Sequence, residues 1–521
     1  MRAIPSIAEM TQTAATLGIH LESEEAVLMH QYLVKKLTEI DEFVQMRLDE
    51  GAPPVTFATR APGYRPSAQE DPLNAWVWKC HIEGSGEGLL AGKTVSYKNH
   101  VSIAGMPISY GAAPLEHLIA NVDATIVTRV LAQGGTIIGK NVMDGLAGGT
   151  GNGPNGDFGR VLNPHNHDHY AGGSSAGSAA AVASGQADIS FGGDQGGSIR
   201  IPAAMCGIVG LKPTFGLVSH FGLGFGTDQS IDYTGPMART VEDTAAALQA
   251  TAGYDGLDPR QTRYVPETFD ALSTLDQGVA GLKIGILREG FEGPIDPEVY
   301  QAVLKATEVL EAAGAVVSKI SVPEHHLARL AQTAMTPEGS LAMFQAGFMG
   351  AFARTYYPSS LIAAVRRFNR DHISGATART KLMLLAGEYS RRNFDGVAYT
   401  KGHNVRKGII AAFDKALSEV DVLIMPTCIQ VAAKFEAPTD RFEIAETWLN
   451  AAKRVTATVV NNTQPYNYTG HPGLAVPCGK VNGLPVSMQL VGRFFDDALL
   501  LRTAYAYQKA VDWSSITGIG A

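Results

Sequence analysis

The sequence is poor in cysteine, has no excess of positive charge and contains no long apolar run, and each shortage removes a class of function. Its 521 residues include only Cys80, Cys206, Cys428 and Cys478, far apart and in no C-x-x-C pair. Neither a disulfide framework nor a zinc site is expected, and a reducing compartment fits. Lysine and arginine number 42 against 50 aspartates and glutamates, a formal net charge of −8 that is scattered along the chain. Nucleic-acid phosphates are held by clustered basic side chains, so nucleic acid is not an expected partner. No run of 18 apolar residues occurs, and the opening MRAIPSIAEMTQTAATLG lacks a basic end followed by an apolar core. The expectation is a cytoplasmic protein with neither membrane span nor secretory leader.

What is present reads as a helical extension followed by a large α/β body. Ala26, Met29, Leu33, Leu37, Ile40, Val44 and Leu48 recur at three- and four-residue steps, so Glu22 to Glu50 is an amphipathic helix or helix pair that packs on the body or forms a homodimer contact. Gly51 to Pro72 is rich in Pro and Gly and reads as a linker. This divides the chain into an extension over 1–65 and a catalytic body over 66–521. In the body, short β-branched runs (Thr94–Tyr97, Thr136–Gly139, Leu282–Leu287, Val316–Val322, Val420–Met425, Gly473–Pro477, Val486–Val491) alternate with helical patterns at Ala124–Gln133, Glu298–Ala313, Lys407–Glu419 and Asp497–Val511. That alternation predicts a mixed, mostly parallel central sheet covered by helices on both faces. A helical stretch without strands, about 337–400, reads equally as a cap or as core packing.

The chemistry concentrates between Ala171 and Lys212. Two glycine turns, Gly172-Gly173-Ser174-Ser175 and Gly196-Gly197-Ser198, flank an Ala-rich segment that predicts a short buried helix. Doubled glycines ahead of a serine expose its hydroxyl together with bare backbone N–H groups, as acyl transfer requires. Three other patterns compete. Gly151 to Gly156 fits G-x-G-x-x-G, but Pro154 and the lack of a preceding buried strand make it a loop. His165, His167 and His169 alternate as an exposed loop would and do not reproduce a metallohydrolase spacing. Gly173 to Gly177 fits the G-x-S-x-G elbow with Ser175 as nucleophile, yet the polar HNHDHYA precedes it where a buried strand belongs. The remaining arrangement uses Ser198 as nucleophile and a lysine as base. Lys98 follows a strand, the edge at which open α/β sheets place ligand sites, and burial there favours its neutral form.

The segments Gly173-Ser174-Ser175, Gly193 to Ala203 (GDQGGSIRIPA) and Cys206-Gly207 closely resemble the amidase signature family. So do Ser96 to Asn99, Gly139-Lys140, Gly210 to Thr214, Gly235 to Arg239, Met425 to Thr427 and His471 to Gly473, in the family's order over roughly residues 70 to 510. With its helical extension the chain is most similar to the bacterial amidases associated with nitrile degradation. The resemblance implies the amidase-signature fold and a Ser-cisSer-Lys triad falling on Ser198, Ser174 and Lys98. It further implies an oxyanion hole from the backbone N–H groups of Gln195, Gly196, Gly197 and Ser198, with neither metal nor organic cofactor. The implied activity is hydrolysis of a small uncharged or aromatic carboxamide through a Ser198 acyl-enzyme. Carbamates, ureas, anilides and hydrazides are alternative substrates, and membership of an amidotransferase complex is an alternative role. The chain departs from the common pattern at Ala176, at Asn99-His100, and at Gln195 beside the scissile group.

Overall fold

A computed structural model describes residues 4–147, 158–350, 353–376, 378–435 and 462–518. Gly151 to Gly156 lie outside the described residues. Two compact units divide at Ala52/Pro53. The first is a pair of helices, Ile7–Thr16 and Ser23–Gln45. Ser6 and Glu9 close the start of the first helix as a capping box, with Glu9 N–H donating to Ser6 Oγ at 3.2 Å and Ser6 N–H to Glu9 Oε2 at 2.7 Å. Among the described residues of this unit only Met10, Ala14 and Ala26 are buried apolar residues.

The boundary falls earlier than the expected 65/66 because the linker's second half is bonded into the body. Tyr64 pairs with Lys79, and Arg60 Nη1 donates to Asp123 Oδ1 at 2.7 Å.

The body is built on strands β1 (Trp76–Ile82), β2 (Thr94–Lys98), β3 (Thr136–Asn141), β4 (Leu162–Asn163), β5 (Asn166–Tyr170), β6 (Ile189–Asp194), β7 (Val209–Lys212), β8 (Tyr233–Ala238), β9 (Lys283–Leu287), β10 (Val316–Ile320), β11 (Val422–Pro426), β12 (Gly473–Val481) and β13 (Leu484–Val491). Eleven of them form one mixed sheet in the order β1-β3-β2-β6-β8-β7-β12-β13-β11-β9-β10. Parallel pairs lie toward the flanks, β3-β2-β6 on one side and β11-β9-β10 on the other, where helical crossovers connect the strands. The centre is antiparallel, and β12 and β13 turn back at Asn482-Gly483, both at positive φ as a two-residue hairpin requires. β6, β8 and β13 are buried throughout, so their apolar side chains meet helices on both faces. The four cysteines are free. Among the described residues no helix is long and apolar enough to cross a membrane.

Two sequence expectations change. The helical region starts at Glu324 rather than Pro337, because the Glu324–Gln345 helix runs through that proline. Its apolar residue Phe344, with Phe348 and Met349 just beyond, packs with Tyr110, Leu361 and Val365 in a satellite core. His167 and His169 stand on β5, in a two-stranded ribbon with β4, and not on a loop. His165 Nε2 is bonded to the Cys206 carbonyl at 2.9 Å. Among the described residues no three His, Cys, Asp or Glu side chains group to hold a metal ion.

Candidate active site

Lys98 is the last residue of β2, between β3 and β6, and has no exposed surface. Its Nζ donates to Ser174 Oγ at 2.7 Å and to the Gly193 carbonyl at 3.2 Å. Burial pulls the ammonium down to about 8, against the opposing charges of Asp232, Asp144 and Asp194. A lysine so placed holds a usable neutral fraction near neutral pH, with its nitrogen already on a hydroxyl.

Ser174 follows Gly172, whose positive φ and close approach to Pro202 leave no room for a side chain; a Cβ there would sit 2.6 Å from Pro202 Cα. The Gly173–Ser174 peptide is cis. The next residue, Ser175, is equally buried but faces other partners: its Oγ donates to the Gly193 carbonyl at 3.2 Å and accepts the Gly193 N–H at 3.3 Å. The Ala176–Ala183 helix that follows is buried at every position, and its small residues let it lie close to β6 and β3.

Ser198 ends the second turn. Gly197 has φ +130°, and a Cβ on it would collide with Thr463 Oγ1. The turn is gripped from below by Asp194 at the end of β6. Its carboxylate accepts the Gly197 N–H at 2.6 Å and the Ile199 N–H at 3.1 Å, Arg200 Nε at 3.0 Å and Asn467 Nδ2 at 2.8 Å. Burial disfavours the charged form, but the Arg200 guanidinium and these hydrogen bonds outweigh it and hold Asp194 down at about 2. From above, Gln332 Nε2 donates to the Gln195 carbonyl at 2.7 Å and Thr463 Oγ1 to the Gly196 carbonyl at 2.6 Å. A planar trans peptide points its N–H opposite its carbonyl, so tying these carbonyls aims the following N–H groups the other way.

That arrangement corrects one expectation. The Gly197 N–H is spent on Asp194 and is not free for an oxyanion, whereas among the described residues those of Gln195, Gly196 and Ser198 make no hydrogen bond. Of the three candidate side chains, Lys98 and Ser174 are joined, while Ser198 Oγ makes no hydrogen bond with either. Ser198 is also the only one with exposed surface, at 8%.

Sequence reasoning missed the supports. Asp194, Arg200, Gln332 and Thr463 hold the turn, and Asp232 accepts Gln195 Nε2 at 2.6 Å, His220 Nε2 at 3.1 Å and the Gly226 N–H at 2.8 Å. Only Asp194 left a signal, an acid placed directly between a buried strand and a Gly-Gly-Ser turn. His100, two residues after the lysine, is buried with both ring nitrogens unbonded, and burial holds it neutral.

Comparison with known proteins identifies the family. The family model for amidases matches residues 74–501. An enantioselective amidase of Rhodococcus rhodochrous is 38% identical over 451 residues, 86% of this chain and 85% of that protein. A glutamyl-tRNA(Gln) amidotransferase subunit of Methanosarcina barkeri is 36% identical, covering 84% of this chain and 88% of its own. Among solved structures, the native peptide amidase of Stenotrophomonas maltophilia superposes with a TM-score of 0.63 at 28% identity, over 81% of this chain and 83% of that one.

Proposed function

The chain belongs to the amidase family, whose members hydrolyse C–N bonds, and from that membership we propose that it cleaves a small uncharged carboxamide to a carboxylate and ammonia or an amine. The observation that carries the reading is the buried contact of Lys98 Nζ with Ser174 Oγ at 2.7 Å, beside the turn that presents Ser198. Neutral Lys98 draws a proton through Ser174 from Ser198, and the freed Ser198 oxygen attacks the amide carbonyl. The Gln195, Gly196 and Ser198 N–H groups receive the oxyanion, each donor contributing about 3 kcal/mol in the transition state. The same relay returns the proton to the departing nitrogen, and water then opens the acyl-enzyme. The relay requires a hydrogen bond from Ser198 Oγ to Ser174 Oγ once an amide is seated. Gln332, Thr463 and Gln464 border the turn and are uncharged, which supports a neutral substrate.

Ser198→Ala is expected to lower turnover of benzamide by roughly 10⁴-fold or more. A fluorophosphonate tag is expected on the Ser198 peptide by mass mapping. A tag on Ser175, with activity lost in Ser175→Ala and kept in Ser198→Ala, would replace this assignment with the elbow reading.

The amidotransferase relatives favour a second role, ammonia delivery inside a complex. Ammonia release from free amides by the chain alone separates the two, because a protein that works only within a complex is expected to be inactive without its partners.

We further propose that the chain is a homodimer through its N-terminal helices. Leu28, Tyr32, Phe43 and Val44 on Ser23–Gln45 are all more than half exposed, an apolar surface that a second copy would cover. Removing residues 1–52 is expected to halve the solution mass by light scattering, and a truncated chain that keeps the dimer mass excludes this interface.

A further inference from the structure

The nucleophile turn is bracketed by two side-chain amides, each tied by its nitrogen. Gln195 Nε2 is held by Asp232 Oδ1 at 2.6 Å, and Gln332 Nε2 by the Gln195 carbonyl at 2.7 Å. The oxygens at the other ends, Gln195 Oε1 and Gln332 Oε1, are buried and have no hydrogen-bond partner. The residues are 5% and 1% exposed. A third amide oxygen, Gln464 Oε1, is likewise unpaired, on a side chain whose Cγ and Nε2 stand beside Gly196.

Neither Gln195 nor Gln332 can turn its amide over without loss. Turning Gln195 would set its oxygen against the Asp232 carboxylate, which His220 Nε2 and the Gly226 N–H keep in place. Turning Gln332 would set oxygen against a carbonyl. Each residue therefore keeps its carbonyl oxygen as an unpaired acceptor, with one N–H of its nitrogen already engaged. Gln195 stands three residues before Ser198 in the turn, and the carbonyl of Gly193, two residues earlier, accepts from Lys98 Nζ.

An unmade hydrogen bond in a buried acceptor is unfavourable, and such groups in folded proteins are normally satisfied. Gln195 on the catalytic turn and Gln332 bonded to its carbonyl both hold an acceptor in this state, which points to a donor that arrives with the substrate. An ester has no such donor at the scissile group, nor has an N,N-disubstituted amide, whereas an unsubstituted carboxamide brings two N–H bonds.

We propose that Gln195 and Gln332 select substrates bearing an N–H on the scissile group, with Asp232 acting as the positioning residue that keeps the Gln195 oxygen available. The proposal rests on Ser198 being the nucleophile and names the class that site prefers: primary and singly substituted carboxamides over matching esters and tertiary amides.

The test compares kcat/KM for benzamide, N,N-dimethylbenzamide and methyl benzoate in the full chain and in Gln195→Met, an isosteric change that removes the acceptor. The ratio of benzamide to methyl benzoate is expected to fall about tenfold or more in the variant, because a site built around a substrate N–H loses its preference when the acceptor is gone. Asp232→Asn, which frees the amide to turn, is expected to lower the ratio in the same direction. If the ratio stays unchanged, or both substrates decline together, the acceptors are satisfied by water or serve packing alone and the proposal is overturned. Should Gln195→Met not accumulate as folded protein, Gln332→Met carries the same expectation and the same refutation. Failure of the parent chain to cleave any of the three compounds would count against the amidase reading itself, an outcome distinct from an unmoved ratio.

Discussion

Lys98→Met is expected to remove amide hydrolysis by about 10⁴-fold and to flatten part of the rise in stability between pH 8 and 10.5. The first effect follows from the chemistry: methionine fills the same channel but accepts no proton from Ser174. With Lys98 as the proposed base the working form is the neutral lysine, so kcat/KM should climb about tenfold per pH unit below 8 and level off above it. The second effect follows from linkage. Burial lowers the folded-state value from 10.5 to about 8, so between those values the unfolded chain binds the extra proton and stability rises with pH. Below pH 8 the full penalty of about 3 kcal/mol is present; above 10.5 it has vanished. Denaturant unfolding at about pH 7 and about pH 10.5 measures it, and the gain in Lys98→Met should be smaller than in the parent by about that amount. Lys140, also buried and drawn down to about 7, contributes in the same direction in both proteins and cancels in the comparison. A variant that keeps the parent's acid limb near pH 8 would show that a different group is the base.

Asp194→Ala is expected to destabilise the fold by about 3–5 kcal/mol, a large share of a typical stability of about 5–15. Asp194 and Arg200 are an ion pair without exposed surface, and removing the carboxylate strands a buried guanidinium whose other acceptors are only the uncharged Gln489 and Asn467. The same change releases the Gly197 and Ile199 N–H groups, so whatever protein still folds loses the shape of the turn that presents Ser198. Urea unfolding gives the first quantity and turnover of the folded fraction the second. A well-folded, fully active Asp194→Ala would mean that the glycines and Thr463 hold the turn unaided. Asp194→Asn should be intermediate in stability, since its amide oxygen still accepts while its nitrogen opposes the Arg200 donors.

Much of the framework was legible because its causes are local. β2, β3, β9 and β13 are β-branched runs bounded by turn residues. The extension showed its 3.6-residue period in Glu22 to Glu50, although the short helix Ile7–Thr16 before it carries too few large apolar residues to show a stripe. The supports of the site were not legible. Gln332 reaches the Gln195 carbonyl across 137 positions and Thr463 reaches the Gly196 carbonyl across 267. A hydrogen bond between residues so far apart leaves no period, spacing or composition in either segment.

The sequence by itself determined the chemical inventory: a lysine at a strand's end, two glycine turns carrying serines, and the family pattern that joins them. It could not distinguish Ser174 from Ser175 on chemistry, since adjacent serines have the same hydroxyl and the same neighbours. The family resemblance put the relay on Ser174, and the tertiary structure adds a physical difference between the two by bringing β2 against the first turn, so that Ser174 Oγ meets Lys98 Nζ while Ser175 Oγ is tied to the backbone of Gly193. It likewise decided which N–H groups of the second turn stay free, because the Asp194 carboxylate, fixed at the end of β6, takes the one from Gly197. Both outcomes depend on the direction of a bond in space, which is set by packing between distant strands.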